Sequence, residues 1–463
     1  MSDAATLARR LALLRAGGAA GDVGRPTVAV PPARPRSAEL AERLAAAVDG
    51  VALRSDGGYI VRVEPRPVPI PLQRPRLATL PGQPPADVPL VCLDTETTGL
   101  SSGAGTLAFL VGLGWWEGDR FRQVQLLCPD HADEPALLAA LEEAIPSESW
   151  LVTYNGRGFD WPLLTTRYRM AGRAAPPHAG HLDLLTHVRR LFRHRLGDAR
   201  LQTVEREMLG IHRQDDVAGW EIPDRFLAFV RGGPADPVGA IVAHNGEDVR
   251  SLARILQHLD AEYGDHERRR LAPAGDLFAL ARGYARERRL DEALGCLEVA
   301  EDHWRPPVLG STSWPFGAPL PVATTVSREQ IRSERARTLR RMGRHDDAIA
   351  TWQEIAQGGR VDAVRAWIEV AKLREHLLRD PRGALEATAA AAGALAWLRS
   401  LDAPEPGIEA ALARRRQRLL RRTARAAERA AVEPERGRAS PVRPAAAPGW
   451  PGRPVVAPRT SRP

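Results

Sequence analysis

Residues 90–96, Leu-Val-Cys-Leu-Asp-Thr-Glu, constrain the fold most: four apolar residues in a row, then two carboxylates two positions apart. A continuous apolar run of this length reads as a strand buried on both faces, which requires other layers of structure above and below it. Side chains alternate along a strand, so Asp94 and Glu96 meet on one face at its end. The surrounding pattern is that of a mixed sheet. Residues 107–116 and 121–128 form a hairpin across Glu117-Gly118-Asp119, residues 150–154 make a further strand, and helices begin near Asp133 and Asp160. Strands that first pair in a hairpin and then alternate with helices predict an α/β fold.

At 463 residues the chain is long enough for about three domains of roughly 150 residues. Residues 1–87 read as a Pro/Arg-rich, partly disordered lead-in, beginning with a short amphipathic helix and broken by a helical patch at 37–48 and a strand-like stretch at 58–63. Residues 88–265 form the α/β domain. Residues 274–400 carry large and small residues at tetratricopeptide-like spacings: Tyr284, Ala293, Leu297 and Ala300, then Gly343, Ala348 and Trp352, then Ala384 and Ala391. The first gap is too long for a repeat of about 34 residues, which places an insertion at 304–325. Residues 401–463 read as an Arg-rich helix, with Ile408, Leu412, Leu419 and Leu420 on one face, followed by a disordered tail.

The net charge of +8 is unevenly spread: residues 411–463 hold 14 Arg against 3 Glu, residues 1–90 carry +4, and the middle, 91–410, carries −7. A high isoelectric point therefore does not by itself make the body a nucleic-acid binder. The three cysteines, Cys92, Cys128 and Cys296, form no CxxC pair, which argues against a metal knuckle and for reduced thiols in the cytoplasm. Arg9, Arg10 and Arg15 interrupt the first apolar residues, so no signal-peptide core is expected, and the longest apolar stretch, 107–116, is too short to span a bilayer.

The chemistry-bearing residues recur along the α/β region. After Asp94-Thr95-Glu96 comes Asn155-Gly156-Arg157-Gly158-Phe159-Asp160, with Asp160 at a loop-to-helix transition; then His244 and Asp248 stand four apart on one helical face. Each has a plain structural reading: strand-end acids cap turns, Asp160 can cap the helix before Pro162, and His244 can bond a local carboxylate. Asp183 follows a short strand and reads as a cap or as a supporting ligand. Asp215-Asp216 and Asp346-Asp347 read as solvated. Trp304, Trp314 and Phe316 could stack bases or pin a loop, and Arg157, Arg167 and Arg169 could hold phosphates.

Taken in order, LDTETTG, N-x3-FD and H-x3-D resemble the three exonuclease motifs of the DEDD 3′-5′ exonucleases, and with helical repeats behind them the chain looks like the YprB-type bacterial ribonuclease-H-like proteins. The resemblance implies a ribonuclease-H-like mixed sheet flanked by helices, followed by an all-α tetratricopeptide-like repeat region. It implies Asp94, Glu96, Asp160 and Asp248 as ligands of two Mg²⁺ or Mn²⁺ ions, His244 as the water-activating base, and Thr97, Thr98, Gly99 and Asn155 as substrate contacts. Turn capping is an equal reading for Thr97 and Thr98. The histidine occupies a position where the family usually has tyrosine, since its histidine variants place His five residues before the last Asp.

The expected activity is metal-dependent 3′-5′ exonucleolysis of DNA or RNA with a single-stranded 3′ end, with a protein partner at the repeats and no membrane. A nucleic-acid-binding adaptor of low activity and a structure-specific endonuclease are the alternatives.

Overall fold

The computed structural model describes residues 35–436 apart from 56, 100–104, 215, 306–325, 359–361 and 401–405. The expected N-terminal helix, most of the 304–325 insertion with Trp314 and Phe316, Asp215, and the tail beyond 436 lie outside the described residues. The chain divides between Arg344 and His345 into two compact units.

The first unit is built on an eight-stranded mixed sheet, with β1 (Val51–Ser55), β2 (Gly58–Val63), β3 (Val68–Pro69), β4 (Leu90–Thr97), β5 (Ala108–Glu117), β6 (Arg120–Leu127), β7 (Trp150–Thr153) and β8 (Gly180–Asp183). The order is β1-β2-β6-β5-β4-β7-β8, with β3 added to β6. The expected hairpin is β5–β6, and β4 pairs antiparallel with β5 but parallel with β7. As the unbroken apolar run requires, β4 is covered on both faces. Val91 and Leu93 join a cluster with Leu137, Leu141, Leu163 and Tyr168, whereas Leu90 and Cys92 join one with Leu184, Val188, Val249, Leu252 and Leu256.

The sheet domain draws on chain at both of its expected ends. In the lead-in, the helical patch and strand-like stretch become the helix Pro35–Ala47 and β2, with β1 and β2 extending the sheet beyond β6 and the helix burying Leu40, Ala41 and Leu44 against it. The strand alternation in 51–63 is short, interrupted by Asp56-Gly57-Gly58 and followed by Pro65 and Pro67, so it reads weakly until β6 supplies a pairing edge. Beyond residue 265 the same core continues. The helices Ala274–Arg286 and Leu290–His303 bury Tyr284, Ala293, Leu297 and Ala300 in the same cluster as Leu184, Val188 and Phe192. The residues expected to pack helix against helix here also pack helices onto the sheet domain.

Among the described residues the second unit is helical: His345–Gln357, Asp362–His376, Pro381–Arg399 and Pro406–Arg436. Leu412 and Leu419 are buried, but Leu420 points outward. Part of the basic charge of this last helix is internal, because Arg415, Arg418 and Arg422 converge on the buried Glu375 carboxylate. That arrangement holds the Glu375 carboxyl below the usual range: burial pushes it up, and the Arg418 hydrogen bond and neighbouring charges outweigh this. All three cysteines are buried and free, and no described helix is long and apolar enough to cross a membrane.

Candidate active site

The sense of strand pairing changes at β4, so the chain leaves β4 and β7 at the same edge of the sheet, where loops can converge on one pocket. β4 brings Asp94 and Glu96 to this edge, with a register shift between Glu96 and Thr97 where the ladder ends. From β7 the chain turns through residues 154–159 into α1 (Asp160–Met170), whose first residue is Asp160. The turn needs a left-handed residue, and Asn155 supplies it with φ +66°. Asp183, at the end of β8, fixes it: its carboxylate accepts the backbone N–H of Asn155 at 2.9 Å and of Arg157 at 3.3 Å, while also capping the next helix through Leu185 N–H at 3.1 Å. One side chain thus caps a helix, as expected, and ties the Asn155–Arg157 turn.

The long helix α2 (Asp236–Leu259) lies against β4, β5 and β6 and carries His244, Asn245 and Asp248. Asn245 is fully buried. Its Nδ2 donates to Asp94 Oδ2 at 2.9 Å, and its Oδ1 accepts from Gln125 Nε2 at 2.9 Å. The helix can come this close because Gly112 sits opposite Asp94 on β5: a Cβ there would lie 2.2 Å from Asn245 Oδ1 and 2.8 Å from Val249 Cγ2. Gly112→Ala is expected to cost about 2–3 kcal/mol, since Asn245 cannot retreat without leaving buried amide groups unpaired. Urea denaturation measures this, and a loss below about 0.5 kcal/mol would mean that the helix shifts freely.

The four carboxylates repel one another. Burial first, and then the charges of Asp248, Glu96 and Asp160, push the Asp94 carboxyl well up, opposed by the Asn245 hydrogen bond. Burial and the charges of Asp248, Asp160 and Asp216 do the same for Glu96, opposed by Arg213. Asp160 is pushed up to about 6, mainly by burial, although it accepts a hydrogen bond from the Thr95 hydroxyl. Asp248 is raised by burial against the pull of Arg213 and His244.

Two further groups come from the segment before α2. Arg213 is a guanidinium within the acidic group: it pairs with Asp248, with the buried Glu205 and, at 3.3 Å, with Asp216. Asp216, expected to be solvated, instead lies 2.5 Å from His244 Nδ1. Burial pushes Asp216 up, but the hydrogen bond and charge of His244, with Arg213, bring it below the usual range. The opposite ring nitrogen, His244 Nε2, stands 3.9 Å from Glu96 and 3.8 Å from Asp248. Arg213, Glu205, Asp216 and Asn245 carry no spacing signal; only Asn245, beside His244, adjoins a motif.

The other expected substrate contacts are placed differently. Thr97 Oγ1 donates to Gly99 O at 2.7 Å and Thr98 Oγ1 accepts Leu107 N–H at 2.9 Å, so both hydroxyls tie the loop after β4. Asn155 is exposed on the turn between β7 and α1. Arg167 is taken up by a two-pronged pair with Glu134 and is not a free phosphate ligand.

By chemistry the donor set suits a hard divalent cation, because buried carboxylate oxygens that repel one another gain from a shared positive charge. As the side chains stand, no three His, Cys, Asp or Glu residues among the described residues converge into a ready cage. One oxygen of Asp94 faces Asn245, one of Asp160 faces Thr95, and one of Asp248 faces Arg213.

A family model described as the RNase H superfamily matches residues 91–260, which span β4 to α2 and hold all four carboxylates. The chain is also 30% identical over 302 residues to the uncharacterized protein YprB of Bacillus subtilis (strain 168), a match covering 64% of this chain and 67% of that protein. Its mixed sheet flanked by helices, the helical region that follows and this likeness agree, and the chain belongs to the YprB family of proteins with an RNase H superfamily domain.

Proposed function

We propose that this protein is a metal-dependent nuclease acting as a 3′-5′ exonuclease on DNA or RNA. The observation that carries the reading is the gathering of Asp94, Glu96, Asp160 and Asp248 at one sheet edge, where burial and neighbouring like charge push Asp94 and Glu96 up, a costly arrangement that divalent cations would neutralise. These four residues would hold two Mg²⁺ or Mn²⁺ ions, which when bound supply Lewis-acid stabilisation of the phosphodiester and a water of lowered pKa. Asp216 accepts from His244 Nδ1–H and so fixes the ring with Nε2 free on the side of Glu96 and Asp248. Nε2 is then the atom that takes the proton of the attacking water. Asn245 orients the Asp94 carboxylate, and Asp183 orients the loop that delivers Asp160.

The helical region fits a tetratricopeptide-like docking surface for a protein partner, and the free buried thiols fit a cytoplasmic setting. A nucleic-acid-binding adaptor with little turnover is the second reading, favoured by the hold of Arg213 on Asp248. A panel of single-stranded, 3′-tailed and duplex DNA and RNA, incubated with Mg²⁺ or Mn²⁺, separates these. Stepwise shortening from the 3′ end supports the exonuclease; cutting of closed circles makes it an endonuclease, and binding without cleavage of any substrate favours the adaptor.

A further inference from the structure

Away from the carboxylates, the first unit has a groove of about 400 Å³ whose walls carry Arg189, Arg190, Arg193, Arg282 and Arg286, together with the aromatic ring of Phe278. All five arginines are exposed, and none of them forms an ion pair among the described residues. What sets them apart is that all five line one groove, whereas Arg167, Arg213 and Arg418 are each paired with a carboxylate. Two helices supply its arginines, and Val326 and Gln330 close it: Arg189 and Arg190 lie on Leu184–Phe192, with Arg193 just beyond it, and Arg282 and Arg286 lie one turn apart on Ala274–Arg286. The arginines crowd one another. Burial lowers the pKa of Arg286, the charges of Arg190 and Arg282 lower it further, and Glu287 and Glu334 offset this only in part. Bound anions would relieve that repulsion.

We propose that this groove binds the phosphate backbone of a single-stranded nucleic acid. Planar guanidinium groups match phosphate oxygens two at a time, and several in a row suit a chain of phosphates better than one isolated anion. Phe278 adds a partly exposed aromatic face, with the Arg282 guanidinium carbon 5.8 Å from its ring centroid, the pairing of stacking surface and charge that single strands use. The groove also has a direct connection to the carboxylates. Helix Leu184–Phe192 starts at Asp183, the residue that holds the Asn155–Arg157 turn, and Arg189 lies about 9 Å further along its axis. The choice of nucleic acid over other polyanions rests on the nuclease reading.

The test is equilibrium binding of the full chain to fluorescein-labelled (dT)20 and (rU)20 in EDTA, followed by anisotropy from 50 to 300 mM NaCl. Arg190→Gln/Arg282→Gln/Arg286→Gln is expected to weaken binding about tenfold or more at 100 mM and to reduce the slope of log K against log salt by about 2, near 0.7 per lost phosphate contact. Its thermal midpoint should not fall, since the change removes like charges. If that triple variant does unfold, Arg193→Gln/Arg282→Gln should lower the slope by about 1.4. An unchanged slope in a folded variant overturns the proposal, as does displacement of the oligonucleotide by polyglutamate as effective as by unlabelled oligonucleotide. Binding with the expected slope change but no cleavage on adding Mg²⁺ or Mn²⁺ overturns the nuclease reading and leaves the groove standing. Cleavage with an unchanged slope overturns the groove alone.

Discussion

Asp94→Asn is expected to lower metal-dependent cleavage by about 10³-fold or more, roughly 4 kcal/mol of barrier, while making the metal-free protein more stable. The two effects have one cause. The substitution keeps the shape of the side chain, and an amide oxygen can still accept from Asn245 Nδ2, so the local fold survives. What is lost is a negative charge in a group whose members already raise one another. A carboxyl with a raised folded-state pKa contributes stability that is complete below its unfolded value and is lost as pH rises through the folded one. For Asp160 that window runs from the ordinary 3.8 to about 6, worth about 3 kcal/mol at about 1.4 kcal/mol per pH unit; Asp94 and Glu96 extend the loss to higher pH. In EDTA the native protein should therefore be markedly less stable at pH 8 than at pH 5. Asp94→Asn should raise the thermal midpoint at pH 8 and change it little at pH 5. Calorimetry at the two pH values, with an oligonucleotide assay alongside, checks both halves. Cleavage at the native rate would remove Asp94 from the chemistry, and a lower midpoint at pH 8 would refute the repulsion argument.

What could be read from the sequence was whatever a single strand or helix repeats locally. Leu90 to Leu93 identify a strand covered on both faces, the two-residue step from Asp94 to Glu96 identifies one face, and the four-residue step from His244 to Asp248 identifies one side of a helix. These steps are fixed by backbone geometry and survive any tertiary arrangement. Asn245, Arg213, Glu205 and Asp216 are brought together only by the packing of α2 on the sheet and by the return of residues 205–216, so no periodicity marks them. Asp216 looked like a solvated acid because its partner is 28 residues away. The same reason hid β1 and the place of β2 in the sheet: a strand-like stretch at 58–63 shows no partner until β6 pairs with β2. The five arginines of the groove were hidden by composition, since arginine is common throughout the chain and only the fold separates those with a carboxylate partner from those without.

Arg213→Gln is expected to destabilise the metal-free protein by about 3–5 kcal/mol, the range for removing one member of a buried ion pair. Glu205 decides the size of the effect. Its side chain is almost inaccessible to water, and both its carboxylate oxygens accept from Arg213, so without the guanidinium a charge is buried unpaired. Arg213→Lys should not restore the loss, because a single ammonium cannot span Glu205, Asp216 and Asp248 together. Glu205→Gln combined with Arg213→Gln should recover a large part of it by removing the stranded charge, and the double-mutant cycle in urea gives the coupling. A loss below about 1 kcal/mol, or a double variant no better than the single, would show that the pair is not what holds the segment. Arg213 also competes with any cation for Asp248, since it occupies one of that carboxylate's oxygens and adds positive charge beside the other acids. Mg²⁺ should therefore raise the thermal midpoint of Arg213→Gln more than that of the native chain, as expected for a ligand that binds the folded state more tightly once a competing charge is gone. An equal or smaller rise would mean that Asp248 is not shared between guanidinium and metal, and the low-turnover reading would lose the observation that favours it.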